Sequence, residues 1–408
     1  MDKQNTKPEL WGSAPGHGIS GTFVLPMAAA GRQRFPAVDI LRGLVMLLMA
    51  LDHVRDFFTN APFDPLDLVR TTPALFMTRW VTHLCAPIFI FLAGISAQIM
   101  ASRCTRPELI RVLVTRGLWL VILEVTVVNF VWTFNFDYSS GVYLQVIWTI
   151  GVSMILLAGL VYLPMRVVAF VSFAVIFGHN LMDGIPPARF GAWAPLWSIL
   201  HVPGQIPYAY VNYPLIPWPA VMSLGYCTGV IFQVQPPRRR RMLILGGTAV
   251  LTMFAVLRIL NAYGDPVEWT LQRTGAWTLL AVINVQKYPP SLDYLLITLG
   301  IGCLLLAAFE SAQGRWSRVL RTFGRVPLFF YVLHIGLTHL AAGAVGFMMG
   351  FGWRILLLSD FTIPPSGWGV ELPIVYVVWC LILLALYPVC HWFAEFKQCH
   401  TAWWLSYL

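Results

Sequence analysis

Charge is what this 408-residue chain has least of. Asp, Glu, Lys and Arg make up 11% of it, while 58% is hydrophobic; a soluble domain carries about 25% charged residues. That scarcity excludes a soluble enzyme and a disordered regulator. Acidic residues are the rarer sign, 18 against 27 basic, for a formal charge of +9. Cysteine occurs seven times but never as CxxC, which excludes a zinc ribbon and a disulfide framework. Cys390-His391 and Cys399-His400 read as chance pairs, and no metal is expected. The HExxH, GxSxG and Walker A patterns are all missing, which argues against metalloprotease, hydrolase and ATPase chemistry. No internal repeat of the kind that marks secondary transporters is visible.

What is there is long apolar sequence, and the expected fold class is all-α: a polytopic membrane protein. Ten stretches are long enough to span a bilayer: 37–60, 74–101, 108–134, 142–164, 165–182, 212–235, 242–263, 294–312, 326–350 and 371–394. Residues 1–36 are polar and carry no long apolar run, so a cytoplasmic tail is expected there rather than a cleavable signal. The transmembrane domain is expected over 37–397 and a second tail over 398–408. Nineteen Lys and Arg residues fall on one side if the loops alternate, against eight on the other. The richer side includes Arg103, Arg106, Arg238 to Arg241 and Arg315 to Arg325, and it is read as cytoplasmic, with both termini there. The run Arg238–Arg241 is then a topological anchor, and no nucleic acid is expected. The loop 183–211, with Trp193, Trp197, Tyr208 and Tyr210, is read first as an aromatic belt at the outer interface and second as a platform for a sugar ring.

Titratable residues inside apolar spans are costly, so each is a functional candidate. The first span is the densest, with Asp39, Arg42, Asp52, His53, Arg55 and Asp56. Arg42 and His53 lie three turns apart on one stripe that Asp56 continues, about 16 Å along the helix at 1.5 Å per residue. The second span brings Arg79 and His83; the ninth brings His334 and His339; the third brings Glu124 and Asn129. His53, His83, His334 and His339 are expected at similar depth, as a convergent cluster. Lys287, in the motif KYPPS ahead of the eighth span, is a further candidate.

Residues 34–60 (RFPAVDILRGLVMLLMALDHVRDFFTN) and 78–97 (TRWVTHLCAPIFIFLAGISA) resemble the bacterial membrane proteins grouped with the heparan-α-glucosaminide N-acetyltransferase catalytic domain. Further matching blocks are GHNLMDGI (178–185), YPLIPWPAVMSLGY (213–226), KYPPSLDYLLITLG (287–300) and GRVPLFFYVLHIGLTH (324–339). The spacing of Arg42 and His53 also resembles the acyltransferase type 3 family. The resemblance implies an integral-membrane acyltransferase of the bacterial inner membrane. It would take an acyl group, typically acetyl, from acetyl-CoA or another acyl-CoA to a hydroxyl or amine of an extracytoplasmic glycan. Within that reading His53 is the expected general base, oriented by Asp52 or Asp56, and His83 donates to the oxyanion. Arg42, Arg111 and Arg116 receive the phosphates of coenzyme A. Arg79, His334, His339 and Lys287 are assigned to the acceptor side. The lysosomal branch of the family has Asn where His53 stands and its active histidine further on; here no histidine lies between His53 and His83. A proton-coupled transporter and a non-catalytic envelope assembly protein are the alternatives, and homo-oligomerisation is left open.

Overall fold

A computed structural model describes residues 35–136, 138, 141–352, 366–400 and 402–407. The expected tail 1–36 therefore lies almost wholly outside the described residues, with Lys3, Lys7, Arg32 and Arg34; so does Arg354. The chain is mostly helical. Helix α1 (Pro36–Phe58) is followed by α2 (Pro73–Val81), which passes through a 3-10 turn at Thr82–Leu84 into α3 (Cys85–Ala101). Helix α4 (Arg106–Leu123) widens into a π-helical turn at Glu124–Val128 and closes as α5 (Asn129–Thr133). Then come α6 (Val146–Leu160), α7 (Met165–Gly178), α8 (Ala194–Leu200), α9 (Trp218–Thr228) and α10 (Pro236–Leu260). Helices α11 (Gly275–Ile283), α12 (Leu292–Phe309), α13 (Arg315–Arg325), α14 (Pro327–Met348) and α15 (Leu372–Cys399) complete the set.

Seven of these segments are long and apolar enough to cross a membrane: Pro73–Ala101, Arg106–Thr133, Met165–Met182, Pro236–Leu260, Leu292–Phe309, Pro327–Met348 and Leu372–Cys399. This is a multi-pass membrane protein. The other three expected spans differ in character. Helix α1 has the length, with 23 residues, but carries Asp39, Arg42, Asp52, Arg55 and Asp56. Helix α6 has only 15 residues, because Val142–Leu144 at the head of the expected span is a strand, β1. Helix α9 has 11 residues and tightens into a 3-10 turn at Gly229–Gln233.

Local chemistry explains where helices begin. Proline sits in the first turn of α1, α2, α4, α10, α14 and α15, where its missing N–H costs nothing. Thr72 caps α2 by accepting from Leu75 N–H, and Thr105 with Glu108 forms a capping box on α4. The loop read as an aromatic belt carries regular structure of its own. Strands β2 (Gly204–Ile206) and β3 (Ala209–Val211) form a hairpin, and β3 pairs in parallel with β1, Tyr143 opposite Tyr210. Trp197 is buried there, whereas Trp193 and Tyr208 remain exposed.

Helix α1 sits at the centre, against α3, α12, α13, α14 and α15. Glycines make its closest approach possible: a Cβ at Gly43 would stand 1.9 Å from Leu320 O, and one at Gly324 1.9 Å from Asp39 O. Small residues at such crossings let backbones touch, which drives helix association where lipid supplies no hydrophobic contrast. Gly94 and Gly225 do the same between α3 and α9.

Candidate functional site

The polar residues of α1 form two groups, one at each end. At the N-terminal end the Arg42 guanidinium donates to Asp39 Oδ1 (3.1 Å), to Gly324 O (3.2 Å) and to Ser96 Oγ (2.9 Å). It therefore joins α1, α13 and α3 while keeping 17% of its side chain accessible. Arg111 and Arg116 lie on α4, the first exposed and the second half-buried; neither is among the groups that bond Arg42.

At the other end Asp52 is a hub. It accepts from Arg55 (2.9 Å) and from Arg79 of α2 (2.5 Å), and Lys287 Nζ stands 4.0 Å away. The same Arg55 nitrogen donates to Asp56 at 2.6 Å. Arg55 and Lys287 are nearly fully buried. Burying charge is tolerable only when it is paired this closely, because desolvation costs several kcal/mol per ion.

Beside this hub, His53 Nδ1 lies 2.8 Å from His334 Nε2, and the rings are near parallel at 11°. Trp132 meets the His53 ring edge-on at 4.9 Å. Neither Asp52 nor Asp56 hydrogen-bonds His53; both carboxylates are held by guanidinium groups, and the imidazole's partner is another imidazole. His83 is buried in the 3-10 turn, and neither ring nitrogen has a hydrogen-bond partner among the described residues. Tyr294 of α12 packs edge-on against it at 5.4 Å and donates its hydroxyl to the His83 carbonyl at 3.0 Å. His339 faces a different neighbour: Nδ1 bonds Val131 O at 3.0 Å and the ring stacks on Phe134 at 4.2 Å. His334 and His339 are five positions apart, about 140° around α14, so one helix aims them at different partners.

Sequence reasoning missed the groups that place Lys287. His179 Nε2 reaches Pro290 O at 2.7 Å, and Leu292 N–H donates to Asn180 Oδ1 at 2.9 Å. Asp265 accepts from Gln286 N–H (2.8 Å) and Ser291 Oγ (2.7 Å). Burial pushes the Asp265 carboxyl up from its ordinary value, and those hydrogen bonds with Arg258 act against it. The signal for His179 and Asn180 was the block GHNLMDGI, whose polar residues stand beside an apolar run. Tyr213 and Tyr288, with hydroxyls 3.2 Å apart, were likewise unassigned.

No group of three or more His, Cys, Asp or Glu with metal-holding geometry occurs among the described residues. The carboxylates near His53 are taken by arginine, and the imidazoles pair with one another.

A search of curated proteins returned no match. A family model described as heparan-alpha-glucosaminide N-acetyltransferase, catalytic, matches residues 34–260. That stretch runs through α10 and contains Arg42, Asp52, His53, Asp56, Arg79 and His83, while Lys287, His334 and His339 lie beyond it. More than half of the chain is matched, and the chain belongs to the heparan-alpha-glucosaminide N-acetyltransferase catalytic-domain family.

Proposed function

We propose that this protein is an integral-membrane acyltransferase that moves an acyl group, typically acetyl, from cytoplasmic acyl-CoA to a hydroxyl or amine of an extracytoplasmic glycan. The bacterial inner membrane is its proposed site. There α1, α6 and α9 cross with the seven longer segments, and both termini face the cytoplasm, in keeping with the arginine bias.

One observation carries the reading. Asp39, Arg42, Met49, His53 and Asp56 all keep partial accessibility, and they fall on a single stripe of a helix otherwise packed into the core. Only Leu44, Leu47 and Leu48, on the opposite side, share that partial burial within the helix body. Met46, in the middle of the stripe, is buried at 2%. A stripe with a guanidinium at one end and an imidazole at the other suits a long ligand whose phosphates dock on Arg42 and whose thioester approaches His53.

In the reaction, His53 removes the proton from the acceptor as its oxygen or nitrogen attacks the thioester carbonyl carbon. The carbon–sulfur bond breaks, and the leaving thiolate takes the proton back. His83, with both ring nitrogens uncommitted, donates an N–H to the developing oxyanion. Arg55, Arg79 and Lys287, fixed by Asp52 and Asp56, form the positively charged wall on the acceptor side. Acylation of His53 as a covalent intermediate is the variant that ping-pong kinetics would favour and a ternary-complex pattern would oppose.

The test is incubation of purified protein in lipid with radiolabelled acetyl-CoA and envelope glycans, wild type beside His53→Ala. Label moves to glycan with the wild type, and transfer falls about 10²–10⁴-fold in the variant, the usual worth of a general base. No label on glycan or protein in either sample overturns the reading.

A further inference from the structure

We propose that His334 is a positioning residue and proton store for His53, so that two imidazoles share the task usually divided between an imidazole and a carboxylate. The reaction it serves is the one proposed above; the hydrogen-bond logic stands apart from it.

His334 Nδ1 lies 3.0 Å from the carbonyl oxygen of Phe330, one turn earlier in α14. A carbonyl oxygen can only accept, so Nδ1 carries the hydrogen. Neutral imidazole carries one N–H, which leaves His334 Nε2 with a lone pair. That lone pair faces His53 Nδ1 at 2.8 Å, so His53 Nδ1 is the donor. His53 Nε2 is then bare, and this is the tautomer a base needs. His334 itself has no freedom to turn: it is fully buried, and Phe330 stacks on it at 5.0 Å and 10°.

The same bond gives the proton a place to go. As His53 Nε2 takes the acceptor's proton, the Nδ1 proton crosses to His334 Nε2. His334 is then an imidazolium with both N–H groups bonded, one to Phe330 O and one to His53 Nδ1. When the thiolate recovers a proton from His53 Nε2, the Nδ1 proton returns and both rings are neutral again. Among the described residues no carboxylate is placed to do this. The charged groups that act on His53 are Asp52 on its own helix, Arg79 from α2 and Lys287 from the segment before α12, and Asp56 follows three residues further along α1. Both acids are engaged by cations, while α5 and α14 present only Trp132, Tyr331 and His334.

The experiment is nitrogen-15 NMR of histidine-labelled full-length protein in lipid nanodiscs. The His53 signals are identified by their loss in His53→Gln, and His334→Phe is compared with His334→Gln. In the wild type, His53 shows protonated Nδ1 and unprotonated Nε2. In His334→Phe it reverts to the Nε2–H tautomer. In His334→Gln, whose amide oxygen can still accept, the wild-type tautomer survives. Where label transfer is measured on the same samples, kcat falls about 10²-fold or more in His334→Phe with KM unchanged. His334→Gln keeps only part of kcat, because an amide accepts a hydrogen bond but stores no proton. A wild-type His53 protonated at Nε2, or a tautomer indifferent to His334→Phe, overturns the proposal. The tautomer is read without turnover, so a wild type that fails to transfer label counts against the acyltransferase reading alone.

Discussion

The two ends of α1 use the same side-chain chemistry to opposite purpose. Arg55, at the C-terminal end, donates through one nitrogen to two carboxylates, and one of these is shared with Arg79 and Lys287. Three cations and two carboxylates are thereby paired inside the bundle with one positive charge in excess, and each holds the others in place. Arg42, at the N-terminal end of the helix, bonds one carboxylate, one hydroxyl and one carbonyl and stays partly accessible. Two of its three partners are neutral, so an arriving phosphate can displace them at little cost. A fixed network suits a reaction centre, and a loosely held guanidinium suits a docking point.

The largest effect should come from breaking the fixed end. Asp52→Asn leaves Arg55, Arg79 and Lys287 with only the Asp56 carboxylate. Removing one partner from a buried ion network costs about 3–5 kcal/mol, since the remaining charges stay desolvated and unpaired. The expected result is a protein that inserts poorly or unfolds at a much lower temperature in detergent. An unfolding midpoint equal to wild type would place those charges in contact with water and dissolve the contrast between the two ends.

Arg42→Gln should behave differently. A hydrogen bond to a charged group contributes about 1.5–3 kcal/mol, and each 1.4 kcal/mol is tenfold in binding. KM for acyl-CoA is expected to rise about tenfold or more with kcat close to wild type, while the unfolding midpoint drops modestly as the bonds to Asp39, Gly324 and Ser96 are lost. A variant that instead unfolds early, with KM unchanged, would make Arg42 a structural tie between α1, α3 and α13.

Much of this organisation could be read from residue order. Apolar length announced the spans, and the cost of charge in lipid singled out α1. Helical period placed Arg42, His53 and Asp56 on one stripe, the stripe that stays accessible. What could not be read was pairing across the fold. His53 and His334 are 281 positions apart, and the only hydrogen-bond acceptors among the side chains next to His53 in sequence are the carboxylates of Asp52 and Asp56, so local reasoning assigns the imidazole to a carboxylate. Arg79 and Lys287 reach Asp52 from two other segments and take that carboxylate away. Span lengths failed for a related reason: Val142–Leu144 is apolar enough to extend α6, but it pairs with Ala209–Val211, and hydropathy carries no record of that partner.

The smallest predicted effect sharpens the contrast most. Ser96 accepts from Arg42 Nη2 at 2.9 Å and donates its own hydroxyl to Leu92 O at 2.7 Å, one turn earlier in α3. Ser96→Ala removes one neutral partner from the docking end and leaves the charges in place. A single hydrogen bond of this kind contributes about 0.5–1.5 kcal/mol, so the unfolding midpoint should drop slightly. If Arg42 waits for phosphate, releasing it from Ser96 leaves KM for acyl-CoA unchanged or lower, because the ligand no longer competes with the serine. If Arg42 is a structural tie, KM rises along with the loss of stability, as the guanidinium drifts from its place. Thermal unfolding and KM on the same preparation therefore separate the two roles, and the sign of the KM change decides between them.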